Sequence, residues 1–173
     1  VYKRQPEIHT KDFDEIEEHI DEIEQEKEEK YIGGLPMGIS ILIVDDDKLL
    51  VEKLEETVNW SGIGIDMVFT ANNIRQAQKL LEEYPIEMLL CDIDMPQGNG
   101  LELLEWIRYK KLDIECTFLS SYANFAYAQM ALKLSSREYL LKPISNVDLE
   151  TALRRIVGIV QEKHQKQKKQ EKN

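Results

Sequence analysis

From residue 39 onward the chain alternates between two hydrophobic periods. Ile39–Val44 is an unbroken apolar run, short enough for a strand buried on both faces, and it stops at Asp45-Asp46-Asp47. Lys48–Trp60 then changes period: Leu50, Leu54 and Val58 share one helical face, and Ser61-Gly62 closes it. The same pair of patterns recurs. Ile65–Thr70 predicts a strand, and Asn73 caps a helix running to Glu83, with Pro85 blocking its continuation. Glu87–Cys91, Ile114–Ser120 and Arg137–Leu141 predict three further strands, separated by helices over Leu101–Tyr109 and Asn124–Leu134. Lys142-Pro143 ends the last strand. Ser145 or Asn146 then caps a final helix that buries Leu149, Leu153, Ile156, Val157 and Val160.

Five strands alternating with five helices predict a parallel sheet covered on both faces. Right-handed crossovers leave few topologies. The expected fold is α/β, doubly wound, with five parallel strands in the flavodoxin-like order 2-1-3-4-5. The flanks differ from this repeat. Residues 1–36 are expected to form an appended acidic helix or tail, because Lys11–Lys30 is dense in Asp and Glu. Phe13, Ile16, Ile20 and Ile23 share a face there, a seam too short for a sustained coiled coil. Gly33-Gly34-Leu35-Pro36 breaks the segment, and Met37 stands where a natural start would precede the domain, expected over 37–160. Residues 161–173 are polar and basic, and are expected to fray or to begin a linker.

Composition narrows the partners. A net charge of −11 over 173 residues argues against a free-standing nucleic-acid binder, which needs a basic surface. No apolar run reaches the roughly 20 residues of a membrane span, and no signal peptide opens the chain, so the expected location is cytoplasmic. Cys91 and Cys116 fall in predicted core strands and read as small buried hydrophobes in a reducing compartment, not as a disulfide or metal pair.

The strand ends carry the candidate chemistry. In order 2-1-3-4-5, strands 1 and 3 are neighbours about 4.8 Å apart, so Asp45 and Asp46 meet Asp92 in one pocket. Three carboxylates together oppose one another's ionisation unless a cation balances them, and all-oxygen ligation with room for water suits Mg²⁺. Helix capping alone does not require three successive acids. Ser120 ends strand 4 with a hydroxyl and Lys142 ends strand 5 with an ammonium; singly, these are a turn residue and a surface charge. Together, the strand ends supply metal ligands, a carboxylate nucleophile, a hydroxyl and a lysine. Phosphoryl transfer needs those parts.

Residues 39–160 resemble the receiver domain of two-component response regulators. The resemblance rests on the acidic pair after strand 1, Asp92-Ile-Asp-Met-Pro96 with Gly100, Ser120, and Tyr139-Leu-Leu-Lys142-Pro143. Thr57-Val-Asn-Trp60, Leu119-Ser-Ser-Tyr122, Phe125-Ala-Tyr-Ala128 and Tyr139–Ile144 most resemble receivers attached to AraC-type DNA-binding domains. The resemblance implies that Asp92 accepts a phosphoryl group from a sensor histidine kinase. It implies that Asp45, Asp46, Asp92 and the Asp94 backbone carbonyl hold Mg²⁺, and that Lys142 contacts the phosphoryl group across a cis Lys142–Pro143 peptide. Ser120 would sense the phosphoryl oxygens and Tyr139 would be the aromatic switch.

The implied output is a change in the helix 4, strand 5 and helix 5 face. Homodimerisation there, with Lys133, Asp148, Arg154 and Arg155 as candidate pairing charges, would control a DNA-binding domain not present in these residues. The alternative is a stand-alone receiver acting through protein–protein contacts. Neither reading is a turnover enzyme. Asp92-Ile-Asp94 also resembles the nucleophile motif of haloacid-dehalogenase phosphohydrolases, but there the acidic pair comes late, whereas Asp45-Asp46 lies upstream. Two residues depart from the receiver subgroup: Ser121 stands where glycine is usual, and Ser135-Ser136 replaces a glycine-containing turn.

Overall fold

The computed structural model describes residues 31–32, 35–36, 38–121 and 125–172. The acidic helix expected over Lys11–Lys30 and the Asn124 start of the fourth helix lie outside them. The chain divides into two compact units, Val1–Met37 and Gly38–Asn173. In the first, Tyr31–Ile32 and Leu35–Pro36 pair as a short antiparallel ladder.

The second unit contains strands β1 (Ile39–Val44), β2 (Ile65–Ala71), β3 (Met88–Asp92), β4 (Glu115–Ser120) and β5 (Glu138–Leu141). They form one parallel sheet in the order β2-β1-β3-β4-β5, as the alternation predicts. Burial follows position in the sheet. Every residue of β1, β3 and β4 is buried, whereas edge strand β2 alternates inward and outward and edge strand β5 is half-exposed. Helices α1 (Lys48–Thr57), α2 (Ile74–Glu83), α3 (Gly100–Tyr109) and α4 (Phe125–Lys133) make the four crossovers, and α5 (Asn146–Glu171) follows β5. One core layer joins Ile41 and Ile43 of β1 to Val51 and Leu54 of α1 and to Leu149, Leu153 and Ile156 of α5.

Several element ends differ from the expected ones, each for a local reason. Helix α1 stops at Thr57, not Trp60, because the Trp60 indole N–H turns back and donates to the carbonyls of Leu54 and Glu55 at 3.1 and 3.3 Å. The Leu54 carbonyl is shared with the Val58 amide, which donates to it at 3.2 Å to close the helix. Ser145, one of the two candidates, caps α5 by accepting from the Asp148 amide at 3.1 Å. The stretch between β3 and α3 contains a tight hairpin pairing Asp94–Met95 with Gly98–Asn99. The basic residues from Gln161 on, expected to fray or to begin a linker, are helical in the structure, with α5 continuing to Glu171.

The end of α4 explains the serines that replace glycine. Ser136 N–H donates to the Ala131 carbonyl at 2.9 Å and Ser135 N–H to that of Leu132 at 3.0 Å, with Ser135 left-handed at φ 60°. This is a Schellman ending, in which glycine is favoured at the left-handed position. Arg108 of α3 braces it, donating to the carbonyls of Leu134, Ser135 and Ile114 at 2.9, 3.1 and 3.1 Å. A Cβ in this conformation is unfavourable. Ser135→Gly is therefore expected to raise unfolding stability by roughly 0.5–1 kcal/mol, after the extra freedom of glycine in the unfolded chain is discounted. Urea denaturation of the two proteins measures the difference.

Candidate functional site at the carboxyl ends of the strands

The parallel register decides which strand ends meet. Val44 lies opposite Cys91, Asp92 opposite Leu119, and Ser120 opposite Leu141, so β1, β3, β4 and β5 finish beside one another. The three acids after β1 have separate duties. Asp47 caps α1, accepting from the Leu50 amide at 3.1 Å, while its own N–H donates to Asp45 Oδ1 at 2.9 Å. Asp45 is buried and Asp46 is exposed. The helix cap thus orients Asp45 without consuming it.

Asp92 is the last residue of β3 and is buried at its carboxyl end. Behind it, the Gly100 N–H donates to the Ile93 carbonyl at 2.9 Å. A Cβ on Gly100 would lie 2.3 Å from the Asp92 carbonyl oxygen, so only glycine lets α3 start this close. Lys142 follows β5, its N–H bonded to the Ser120 carbonyl at 2.8 Å and its peptide to Pro143 cis. Its Nζ stands 2.7 Å from Asp45 Oδ2 and 3.6 Å from Asp92 Oδ2. Carboxylate oxygens of Asp45, Asp46 and Asp92 all come within 4.8 Å of one another.

The remaining expected residues fall around this cluster. Ser120 is fully buried, one residue beyond the β3 partner Leu119. Tyr139 is half-buried on β5, opposite Phe118. The Asp94 side chain is exposed, and its backbone N–H, not foreseen from the sequence, hydrogen-bonds the Asp92 carboxylate. Cys91 and Cys116 are free and buried; burial raises both thiol pKa values, that of Cys116 to about 12. A groove of about 190 Å³ flanks the cluster, lined by Asp46, Lys48, Asn72, Ile74, Pro96 and Gly98 among others. Among the described residues, no helix is long and apolar enough to cross a membrane.

The response regulator receiver domain family matches residues 41–154. The chain belongs to that family. It is 32% identical over 117 residues to the transcriptional regulatory protein HptR of Staphylococcus aureus, a match covering 68% of this chain and 46% of HptR. The chain therefore spans about half the length of that curated relative. A two-component transcriptional regulator AraC from Clostridium phytofermentans is similar in structure, with TM-score 0.65 and 30% identity over 75% of this chain and 98% of that one. A CheY-like receiver from Methanospirillum hungatei, 21% identical with TM-score 0.64, covers 72% of this chain and 98% of its own and shares the fold. The chain is a receiver domain of the two-component response regulators, a signalling family.

In this receiver the acidic cluster is under electrostatic tension. Burial, then the charges of Asp45 and Asp46, raise the Asp92 carboxyl to about 6, against the opposing pull of Lys142 and the Asp94 amide. Burial alone would lower the Lys142 ammonium, but its hydrogen bond to Asp45 and the charges of Asp45 and Asp92 hold it above its usual range. Lys142 pairs with two of the three clustered carboxylates, and the excess negative charge on hard oxygen donors, one of them solvent-exposed, fits a small divalent cation that keeps bound water.

A prediction follows from the sign of the Asp92 shift. The folded protein holds this proton more tightly than the unfolded chain, whose carboxyl titrates near 3.8. The contribution of Asp92 to stability is full below that pH and is lost as pH rises through about 6. Without divalent cations, Asp92→Asn should thus be more stable than wild type at pH 7 by roughly 1–3 kcal/mol. The gap should close at acid pH, as denaturant titrations at several pH values would report.

Proposed function

We propose that Asp92 is the phosphoacceptor and that phosphorylation switches the α4–β5–α5 face. The observation that carries this reading is the Lys142 ammonium spanning Asp45 and Asp92 inside the acidic cluster. An Asp92 carboxylate oxygen attacks the phosphorus of a phosphohistidine on a sensor kinase, the P–N bond breaks, and the imidazole leaves with its electron pair. Asp92 becomes an acyl phosphate, which water later cleaves to carboxylate and inorganic phosphate. The protein is thus a switch that takes one phosphoryl group and loses it slowly, not a turnover enzyme.

Lys142 is positioned to neutralise the phosphoryl oxygens as charge builds on them. Asp45, Asp46, Asp92 and the Asp94 backbone carbonyl would hold Mg²⁺, which supplies charge neutralisation of the transferring group when bound. Ser120 is the hydroxyl that meets the new oxygens, and Tyr139, half-exposed beside it on the neighbouring strand, is the aromatic that repacks.

The proposed output is homodimerisation through α4, β5 and α5. Met130, Leu132 and Leu141 are exposed there at 45, 67 and 47%, beside exposed Lys133, Arg154 and Asp148 and the Arg155–Glu138 pair at 2.9 Å. Names of the relatives support a transcriptional output in a longer chain and a cytoplasmic setting. DNA binding would belong to another domain.

Incubation with acetyl phosphate and Mg²⁺ followed by mass spectrometry tests the chemistry. Wild type should gain one phosphoryl group that hydroxylamine removes, and EDTA should prevent its addition. Asp92→Asn should gain none; undiminished labelling of that variant would exclude Asp92. Lys142→Ala should slow labelling by roughly 100-fold, the scale set by losing one preorganised cationic donor.

A further inference from the structure

The opposite end of the sheet carries a second ionic cluster that phosphoryl chemistry does not use. Glu87 immediately precedes β3, Glu115 opens β4 and Arg137 immediately precedes β5. Glu115 is buried, and its carboxylate meets both Arg137 Nε and Lys163 Nζ at 2.5 Å. Lys163 also meets Asp113 at 2.5 Å, and His164 Nε2 lies 2.7 Å from Glu87 Oε2. Burial would raise the Glu115 carboxyl, yet its hydrogen bonds to Arg137 and Lys163 bring it below the usual value.

Lys163 and His164 belong to α5 beyond Val160, its last buried apolar residue. Among the described residues past that point, they are the only two shielded from solvent in part; all the others are exposed. Successive helical residues point about 100° apart, so the two side chains reach different strands and fix both the position and the rotation of the helix. Nothing apolar holds these turns. A polar segment of this length is marginal as a free helix in water, and Lys166, Lys168 and Lys169 crowd like charges along it.

We propose that this cluster is an electrostatic strap. It docks the outgoing turns of α5 onto the amino ends of the strands whose carboxyl ends lead to Asp92, Ser120 and Lys142. When its ion pairs are screened or removed, the helix melts back to Val160 while the domain stays folded. The buried carboxylate of Glu115, with cations on two sides, gives the strap strength that exposed pairs lack.

Amide hydrogen exchange of the whole chain tests it, comparing wild type with Lys163→Ala/His164→Ala. Alanine is the best helix former, so the substitutions cannot weaken the helix through intrinsic propensity. Amides of residues 165–168 should lose protection by roughly tenfold or more in the variant. Wild type should lose protection there at 1 M salt, where screening acts within about 3 Å. Amides of Leu149–Val160 should stay protected throughout. Equal or greater protection of residues 165–168 in the variant would overturn the proposal. So would loss of protection along all of α5, which would make the cluster part of the global fold.

Discussion

The contact on which the site depends is a repulsion held in check. Asp45 and Asp92 end neighbouring buried strands, and the parallel register leaves their carboxylates no route apart. Lys142 enters from the far side of the sheet, by way of β5, and joins the two. Every upstream feature serves that meeting: continuous apolar strands place β1 and β3 at the centre, crossovers align their ends, and the start of α1 turns Asp45 inward through the Asp47 amide. Charge is left over even so. A site left short of positive charge in a partly dry pocket is poised to take up cations and to respond to a change at any of its oxygens.

Much of this was legible in the sequence because the signals were redundant. The strands could be read from uninterrupted apolar runs, and the adjacency of Asp45, Asp46 and Asp92 followed from topology once the alternation was recognised. The order of strands needed no side-chain detail. The three successive acids were ambiguous between capping and ligation, and the structure divides them: Asp47 caps, while Asp45 and Asp46 join Asp92.

What escaped the sequence had no local signature. Past Val160, α5 is joined by ion pairs to Glu87, Asp113 and Glu115, residues some fifty to eighty positions away in the chain, which a reading of residues 161–173 alone does not show. The early stop of α1 depends on which way the Trp60 indole turns. The hairpin between Asp94 and Asn99 and the close approach of Gly100 to the Asp92 carbonyl are features of the folded backbone that the residue pattern does not spell out. The brace at the end of α4 likewise comes from Arg108 on another helix.

Gly100 has a mechanical consequence. With no room for even a methyl group between the start of α3 and the Asp92 main chain, the backbone of the proposed acceptor rests against a hard backstop. Bulk added to its carboxyl cannot be absorbed by recoil in that direction. On the proposed reading, displacement would be directed outward, to the rim where β4 and β5 end, so a gain in size at one atom would acquire a heading.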